Sequence, residues 1–162
     1  AFGIGRQRKI SYRYRLGREP EPGLCWTATS QGRLVGSIRY WRVLLDRVPA
    51  LLLGPLAIAP DRQGEGIGRA LVRTTLGLVA QGGPRLVLLV GDPAYYAQFG
   101  FAVVPTAVVM PGEDPTRLQW LGVAGAALHL RAGRYARGGL AAFSAIRSSH
   151  GRTASPISGK PL

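Results

Sequence analysis

Residues 59–71, APDRQGEGIGRAL, place Gly64, Gly66 and Gly68 at alternate positions directly before an apolar pattern with helical spacing. Glycine adopts positive φ angles without strain, and because it has no side chain it lets another molecule approach the main chain closely. The first turn of a helix also carries unpaired N–H donors and a partial positive charge. A glycine-rich turn that leads into a helix is therefore typical of an anion-binding site, and a flexible surface loop is the alternative.

Three phosphate-binding patterns can be compared with this turn. The P-loop, G-x-x-x-x-G-K-[ST], requires a lysine and a hydroxyl residue that the turn lacks. The dinucleotide pattern requires G-x-G-x-x-G at the end of a strand, whereas these glycines are spaced by two and residues 60–63 intervene. The third pattern, Q/R-x-x-G-x-G/A, is satisfied by residues 63–68, QGEGIG, without a gap.

The flanking residues indicate a mixed sheet around this turn. Residues 24–30 and 34–43 are rich in β-branched and aromatic residues and are predicted to form an antiparallel hairpin. Residues 49–59 are almost wholly apolar, which predicts a central strand buried on both faces. Apolar side chains at helical spacing predict a helix over 66–80, and residues 85–90 predict a second buried strand. Strand, helix and strand form a βαβ unit whose two strands should be parallel.

Proline and aspartate mark where these elements bend or begin. Pro55 lies inside the predicted central strand and has no N–H to donate, so we expect a bulge there and a local separation of strands. Asp92 is placed to cap a short helix with Pro93 at its first position. Residues 101–110 are rich in strand-forming residues, and 117–130 are expected to supply a last strand.

The segment LGPLAIAPDRQGEGIGRAL, together with the later YYAQFGF, resembles the GNAT superfamily of acetyl-CoA-dependent N-acetyltransferases. The resemblance covers residues 24–110. It implies an α/β fold with a mixed, splayed β-sheet flanked by helices, and a cofactor that lies where two parallel strands separate. GNAT proteins begin with a further strand before their first helix. We expect that strand to be missing here, so that the domain is incomplete at its N-terminus.

The resemblance also implies roles for individual residues. Acetyl-CoA would be bound by the end of the central strand, the glycine-rich turn and the helix start: Leu56, Ala57, Ile58, Gln63, Gly64, Glu65, Gly66, Ile67, Gly68 and Arg69. Tyr96 matches the family tyrosine near the coenzyme sulfur and is the expected catalytic residue, as proton donor to the departing thiolate. An aromatic ring packed against the sheet is the alternative for Tyr96. The neighbouring Tyr95 is expected to be a core residue.

No general base is identified by the sequence. Asp46, Glu113 and Asp114 are loop carboxylates, and solvated turn residues are the favoured interpretation of all three. His129 and His150 have no assigned role. No spacing of His, Cys and carboxylates predicts a metal site, so we expect no metal.

The distribution of charge bears on a rival function. The 162 residues carry a formal net charge of +13, but residues 1–18 and 131–162 each hold six basic and no acidic residues. Residues 19–130 hold nine basic and eight acidic residues. A nucleic-acid-binding module with basic arms is the first rival, and the nearly neutral middle argues against it. A GNAT relative that binds CoA without catalysis is the second rival.

We therefore predict an acetyltransferase domain over residues 1–132 and a basic, disordered tail over 133–162. The resemblance implies direct transfer of an acetyl group from acetyl-CoA to a primary amine of a small molecule or a protein, within a ternary complex. Cys25 is the only cysteine, and no membrane span or signal peptide is recognisable, so we expect a cytoplasmic protein. A homodimer is a possible assembly, and we expect no nucleic-acid partner.

Overall fold

The fold is taken from a computed structural model of the chain, which describes residues 14–15, 17–126 and 143–145. Within these residues the strands are β1 (Trp26–Ser30), β2 (Arg33–Leu45), β3 (Val48–Ile58), β4 (Leu86–Val90), β5 (Ala102–Val103), β6 (Leu118–Gly122) and β7 (Phe143–Ala145). The α-helices are α1 (Ile67–Val79) and α2 (Pro93–Tyr96). A 3-10 turn, Pro60–Arg62, leads from β3 towards α1.

The strands form one mixed sheet in the order β1-β2-β3-β4-β6-β5, and β7 pairs with the end of β2. Strands β3 and β4 are parallel, and α1 connects them as the predicted βαβ unit. The other pairs of described strands are antiparallel. The predicted mixed α/β fold is therefore confirmed.

The predicted hairpin is present as β1 and β2, which are joined by Gln31 and Gly32. Both turn residues have positive φ angles, 50° and 75°. Positive φ at both positions gives a two-residue turn the twist that matches the right-handed twist of the strands. Strand β2 then continues to Leu45 and pairs with β3 along most of its length.

Strand β3 is distorted at Gly54 and Pro55, and the sheet opens from this point. The register between β2 and β3 shifts here, so that β3 carries one residue more than β2, which is a β-bulge. On its other side β3 pairs with β4 at Leu51 and Leu52 only, although it continues to Ile58. The expected bulge and strand separation at Pro55 are confirmed.

Two apolar clusters cover the two faces of the sheet. The first, which includes Ile38, Val72 and Val87, lies between the sheet and α1. The second, which includes Leu52 and Leu88, lies on the opposite face. Because β3 and β4 are buried on both faces, their sequences are almost continuous apolar runs.

A pair of hydroxyl groups is buried in the first cluster. The hydroxyls of Tyr40 on β2 and Thr75 on α1 are 2.8 Å apart, and the Thr75 hydroxyl donates to the Leu71 carbonyl at 2.7 Å. Because Thr75 has one hydroxyl proton, Tyr40 is the donor to Thr75. Burial raises the pKa of the Tyr40 phenol well above its usual value, so this donor remains protonated at alkaline pH.

Thr75→Val is expected to lower the free energy of unfolding by about 1–3 kcal/mol, because the buried Tyr40 hydroxyl would lose its acceptor. Urea unfolding followed by circular dichroism measures the change. Thr74→Val is the matched control, since Thr74 is exposed on the same helix, and it should change stability by less than about 0.5 kcal/mol. Equal losses in the two variants would show that the buried pair does not stabilise the fold.

The later strands are shorter than the sequence predicts. Of residues 101–110, only the two residues of β5 pair with β6 as a strand, and Pro105, which cannot donate to a ladder, follows them closely. The expected strand within 117–130 is β6, which ends at Gly122. Among the described residues, no helix is long and apolar enough to cross a membrane.

Strand β7 lies within residues 133–162, for which the sequence predicts a disordered tail. Its three residues pair with Val43–Leu45 of β2, so this part of the tail differs from the prediction. The pairing joins residues about a hundred positions apart in the chain, and local composition carries no signal for such a contact. The other residues of 133–162 lie outside the described ranges. The same holds for residues 1–13, on which the prediction of a missing first strand depends.

Candidate active site

A pocket of about 390 Å³ lies where β3 separates from β4, beside the N-terminus of α1. Its walls come from the end of β3, from the turn and first residues of α1, and from α2. The lining residues are Leu56, Ala57, Ile58, Arg62, Gln63, Gly64, Gly66, Ile67, Gly68, Arg69 and Tyr95. The opening in the sheet and the start of the helix therefore form one continuous site.

The first turn of α1 presents main-chain donors at this site. The first helical hydrogen bond runs from the Ala70 N–H to the Gly66 carbonyl at 2.9 Å. The N–H groups of Ile67, Gly68 and Arg69 come before it and have no acceptor within the helix. Together with the positive end of the helix dipole, these donors favour binding of an anion.

Gly64 and Gly66 leave space beside these donors. Their φ angles are 85° and 82°, in the region that glycine adopts without strain. A Cβ atom on Gly64 would meet none of the described atoms within 4 Å, and one on Gly66 would meet only a guanidinium nitrogen of Arg69, at 3.9 Å. A bound molecule can therefore approach the main chain of this turn closely.

The open edge of β3 presents a second set of main-chain groups. The Ala59 N–H donates to the Val35 carbonyl of β2 at 2.8 Å. Main-chain groups alternate in direction along a strand, so those of Ala57 also face β2, while those of Leu56 and Ile58 face the side of β4. The pairing between β3 and β4 does not extend this far. The N–H and C=O groups of Leu56 and Ile58 are thus directed into the opening of the sheet.

Basic side chains border the pocket. Arg62 pairs with both carboxylate oxygens of Glu65, each at 2.8 Å from its Nε atom. Arg69 forms no salt bridge with any residue of the described ranges, and its guanidinium group lies beside Gly66. Because the charge of Arg62 is offset by Glu65, Arg69 supplies the net positive charge near the helix start, which favours an anionic ligand.

Tyr95 lines the pocket, which corrects the prediction that it is a core residue. Its hydroxyl oxygen lies 2.8 Å from the position that a Cβ atom would take on Gly68. The absence of a side chain at Gly68 therefore makes room for the phenol, whereas the sequence interpretation attributed this glycine to the approach of a phosphate. Helical spacing could not predict the orientation of Tyr95, because α2 is only four residues long.

Tyr96 packs against the apolar cluster between the sheet and α1, and it does not line the pocket. Its ring contacts that of Phe101 edge to face, with 5.8 Å between the centroids. A Cβ atom on Gly91, the residue that follows β4 where the strands diverge, would overlap the Tyr96 ring. Burial raises the pKa of Tyr96 to about 12, so the phenol keeps its proton at neutral pH.

The residues that form this site match a known protein family. The family model of the acetyltransferase (GNAT) domain matches residues 21–103, a stretch that includes the separated strands, the turn, α1 and both tyrosines. The chain belongs to the GNAT family. The resemblance seen in the sequence is confirmed, and all the residues that line the pocket lie within the matched range.

Individual relatives agree with the family assignment. The uncharacterized N-acetyltransferase YjhQ of Escherichia coli strain K12 is 30% identical over 105 residues, which are 62% of this chain and 58% of YjhQ. The structure of the GNAT family N-acetyltransferase YhbS from Escherichia coli, in complex with CoA, superposes with a TM-score of 0.52 at 26% identity and covers 60% of this chain and 56% of YhbS. This chain therefore spans little more than half the length of either protein.

A third GNAT relative is matched over more of its length. The acetyltransferase of Brucella melitensis, whose structure is in complex with acetyl-CoA, has a TM-score of 0.51 at 27% identity. The match covers 75% of this chain and 71% of the Brucella protein. The predicted fold class is thus shared with two structures that contain the coenzyme.

The pocket brings together most of the residues predicted to bind a cofactor. All of them line it except Glu65, whose side chain pairs with Arg62. The sequence interpretation did not include Arg62 or Tyr95. Arg62 directly precedes the matched motif, and a basic residue just before a helix start could have been predicted to line an anion site. No feature of the sequence indicated that Tyr95 lines the pocket. The roles of all these residues remain predictions.

The carboxylates considered as bases occupy turns. Asp114 accepts hydrogen bonds from the main chain and the hydroxyl of Thr116, and Asp92 accepts from the Ala94 N–H as the predicted cap of α2. Asp46, with a φ angle of 55°, lies in the turn between β2 and β3. Burial raises the pKa of the Tyr14 phenol, and the nearby carboxylate of Glu113 raises it further.

The sequence assigned no role to the two histidines and predicted no metal site. His129 and His150 lie outside the described residues. Within the part of the chain that the structure describes, no group of three or more His, Cys, Asp or Glu residues could hold a metal ion.

Proposed function

We propose that this chain is an N-acetyltransferase that transfers the acetyl group of acetyl-CoA to a primary amine. The observation that carries the proposal is that one pocket contains both the open edge of β3 and the unpaired N–H groups at the start of α1. The strand edge suits the amide-containing arm of the coenzyme, and the helix start suits its pyrophosphate. The similar proteins YhbS and the Brucella acetyltransferase, whose structures contain CoA and acetyl-CoA, support this ligand.

Main-chain groups would supply most of the coenzyme contacts. Leu56 and Ile58 would bond the pantetheine arm, since their N–H and C=O groups face the opening. The turn, from Gln63 to Gly66, and the first residues of α1 would bind the pyrophosphate, with Arg69 as a charge-assisted donor. These contacts depend on the backbone, which explains why glycine, with no side chain to fill the open space, occupies positions 64 and 66.

The chemistry requires an ammonium group to lose two protons and the coenzyme sulfur to gain one. The ammonium first loses a proton to solvent, and the lone pair of the neutral amine then bonds to the acetyl carbonyl carbon. The tetrahedral intermediate loses the second proton from nitrogen, the carbon–sulfur bond breaks, and its electron pair stays on sulfur. We assign the protonation of that sulfur to Tyr96, because the residue matches the family motif and packs beside Gly91 where the strands diverge. Its raised pKa keeps the phenol protonated and available as a donor.

The acceptor is proposed only by class, as the primary amine of a small molecule or a protein. A cytoplasmic location is proposed with it, because the single Cys25 requires no oxidising compartment. A homodimer is the proposed assembly, which light scattering coupled to size-exclusion chromatography would test. A measured monomer would remove that part of the proposal.

Calorimetric titrations with acetyl-CoA, desulfo-CoA and duplex DNA, run in parallel, test the proposed ligand. We expect both coenzyme forms to bind with similar affinity, and DNA to bind weakly with an affinity that falls steeply as salt increases. Tight DNA binding without coenzyme binding would favour the nucleic-acid-binding module instead.

Thiol release from acetyl-CoA in the presence of a panel of amines tests catalysis. An N-acetyltransferase should accelerate release with at least one class of amine. Coenzyme binding without turnover of any amine would favour a GNAT relative that binds CoA without catalysis.

A further inference from the structure

We propose that Tyr95 is a cofactor-binding residue whose phenol donates a hydrogen bond to the pyrophosphate of CoA, an inference that rests on the proposed function. Three features of its surroundings support this role: the place of its hydroxyl in the pocket, the way its ring is held, and the charge beside it.

The hydroxyl of Tyr95 lies at the start of α1. Its oxygen is next to Gly68, the second residue of α1, at 2.8 Å from the position of a Cβ atom there. Gly68 carries one of the N–H groups that precede the first helical hydrogen bond. A phosphate that binds those N–H groups would therefore lie within reach of the phenol.

The ring of Tyr95 is held by its neighbours on α2 and in the residues that follow. It meets the rings of Tyr96 and Phe99 edge to face, with centroid distances of 4.9 Å and 5.7 Å. The hydroxyl itself has no hydrogen-bond partner among residues 14–15, 17–126 and 143–145. A donor that is held in place and not otherwise engaged loses little entropy when it binds a ligand.

The charge beside Tyr95 favours an anion. Burial raises the pKa of the Tyr95 phenol, and the positive charge of Arg69, which lies close enough to act on the phenol, offsets part of that increase. The phenol therefore stays protonated at neutral pH and can donate. An arginine and a phenol that converge on the same helix start form a side-chain complement to the main-chain donors.

Tyr95→Phe tests the proposal, because it keeps the ring and removes only the donor. Calorimetry should be carried out with three ligands that share the pyrophosphate: CoA, desulfo-CoA without the thiol, and dephospho-CoA without the 3′-phosphate. We expect affinity to fall by about 10-fold for all three, the size typical of a hydrogen bond to a charged group. A loss that vanishes with desulfo-CoA would place the phenol at the sulfur, and one that vanishes with dephospho-CoA would place it at the 3′-phosphate; either result would overturn the proposal.

Tyr96→Phe is the matched control, since it removes the neighbouring phenol from the same helix and should leave the three affinities unchanged. If the wild-type chain binds CoA and Tyr95→Phe binds it equally well, this inference fails while the proposed function stands. If the wild-type chain does not bind CoA, the proposed function fails as well. Circular dichroism melting curves of each variant establish that binding is compared between folded proteins.

A double-mutant cycle with Gly68→Ala gives a second, independent readout. Alanine at this position would displace the Tyr95 hydroxyl, so Gly68→Ala should weaken CoA binding several-fold in the wild-type background. In the Tyr95→Phe background the same substitution should cause little further loss, because the displaced oxygen is already absent. Equal losses in both backgrounds would show that the alanine obstructs the ligand directly, and would overturn the coupling between Gly68 and Tyr95.

Discussion

Gly66→Val is expected to weaken CoA binding by about 100-fold or more, which corresponds to about 2.7 kcal/mol or more of binding free energy. Gly66 is the N-cap of α1 with a φ angle of 82°, which a β-branched residue adopts only with strain of about 1–3 kcal/mol. The valine side chain would also extend into the open space beside the unpaired N–H groups of the helix start. Isothermal titration calorimetry with CoA measures the change.

Gly83→Val is the matched control for this substitution. Gly83 has a φ angle of 74°, and a Cβ atom there would meet no described atom within 4 Å, but it lies in the turn after α1, at the end of the helix away from the pocket. It should therefore lose a similar amount of folding stability and keep its affinity for CoA. If Gly66→Val folds and binds CoA as tightly as Gly83→Val, the turn before α1 is not the pyrophosphate site.

The parts of this fold that follow from local signals could be predicted from the sequence. The order of strand, turn and helix around the glycines depends on near-neighbour effects: an apolar run, positive φ at glycine, and helical spacing of apolar residues. The bulge at Pro55 follows from the missing N–H of proline, and the cap by Asp92 from its carboxylate. Each of these causes acts within a few residues of the chain.

The parts that depend on contacts between distant residues could not be predicted in this way. The pairing of β7 with β2 has no local cause, because it joins residues about a hundred positions apart in the chain. In the site, the sequence interpretation attributed Gly68, like Gly64 and Gly66, to the approach of a phosphate. Only the packing of α2 against α1 shows that Gly68 accommodates Tyr95.

The two adjacent tyrosines illustrate the same limit at the level of chemistry. Sequence similarity to the family motif assigns the catalytic role to Tyr96 and leaves Tyr95 without one. In the structure Tyr95 lines the pocket at the helix start, while Tyr96 packs in the cluster beside Gly91. Removal of the Tyr95 hydroxyl is therefore expected to weaken coenzyme binding, and removal of the Tyr96 hydroxyl is expected to lower turnover. Kinetics of the two Phe variants can distinguish these effects.

Tyr96→Phe is expected to lower kcat by roughly 10- to 1,000-fold while leaving CoA affinity almost unchanged. The phenol would act only as the carbon–sulfur bond breaks, so its loss should affect the transition state more than the bound ground state. The substituted ring keeps its contact with Phe101, so the packing of α2 should persist. Steady-state kinetics with an amine found by the thiol-release screen, together with CoA titration, measures both quantities.

The pH dependence gives this prediction a second test. A phenol donates only while it is protonated, and its ordinary pKa near 10 would end donation there. Burial raises the pKa of Tyr96 to about 12, so the phenol remains protonated, and able to donate, up to about that pH. The wild-type rate should therefore show no loss attributable to this group between about pH 8 and 11, and the ratio of wild-type to Tyr96→Phe rates should stay constant across that range.

Tyr40→Phe is the matched control, because it removes another buried phenol from the same apolar cluster. The Tyr40 hydroxyl bonds Thr75, so its removal should reduce stability and leave kcat unchanged in the folded fraction. A Tyr96→Phe variant with wild-type kcat would reduce Tyr96 to a packing residue. The thiolate would then have to take its proton from water or from the acceptor, and the Tyr95 phenol, which lies by the helix start and not beside Gly91, would not replace it.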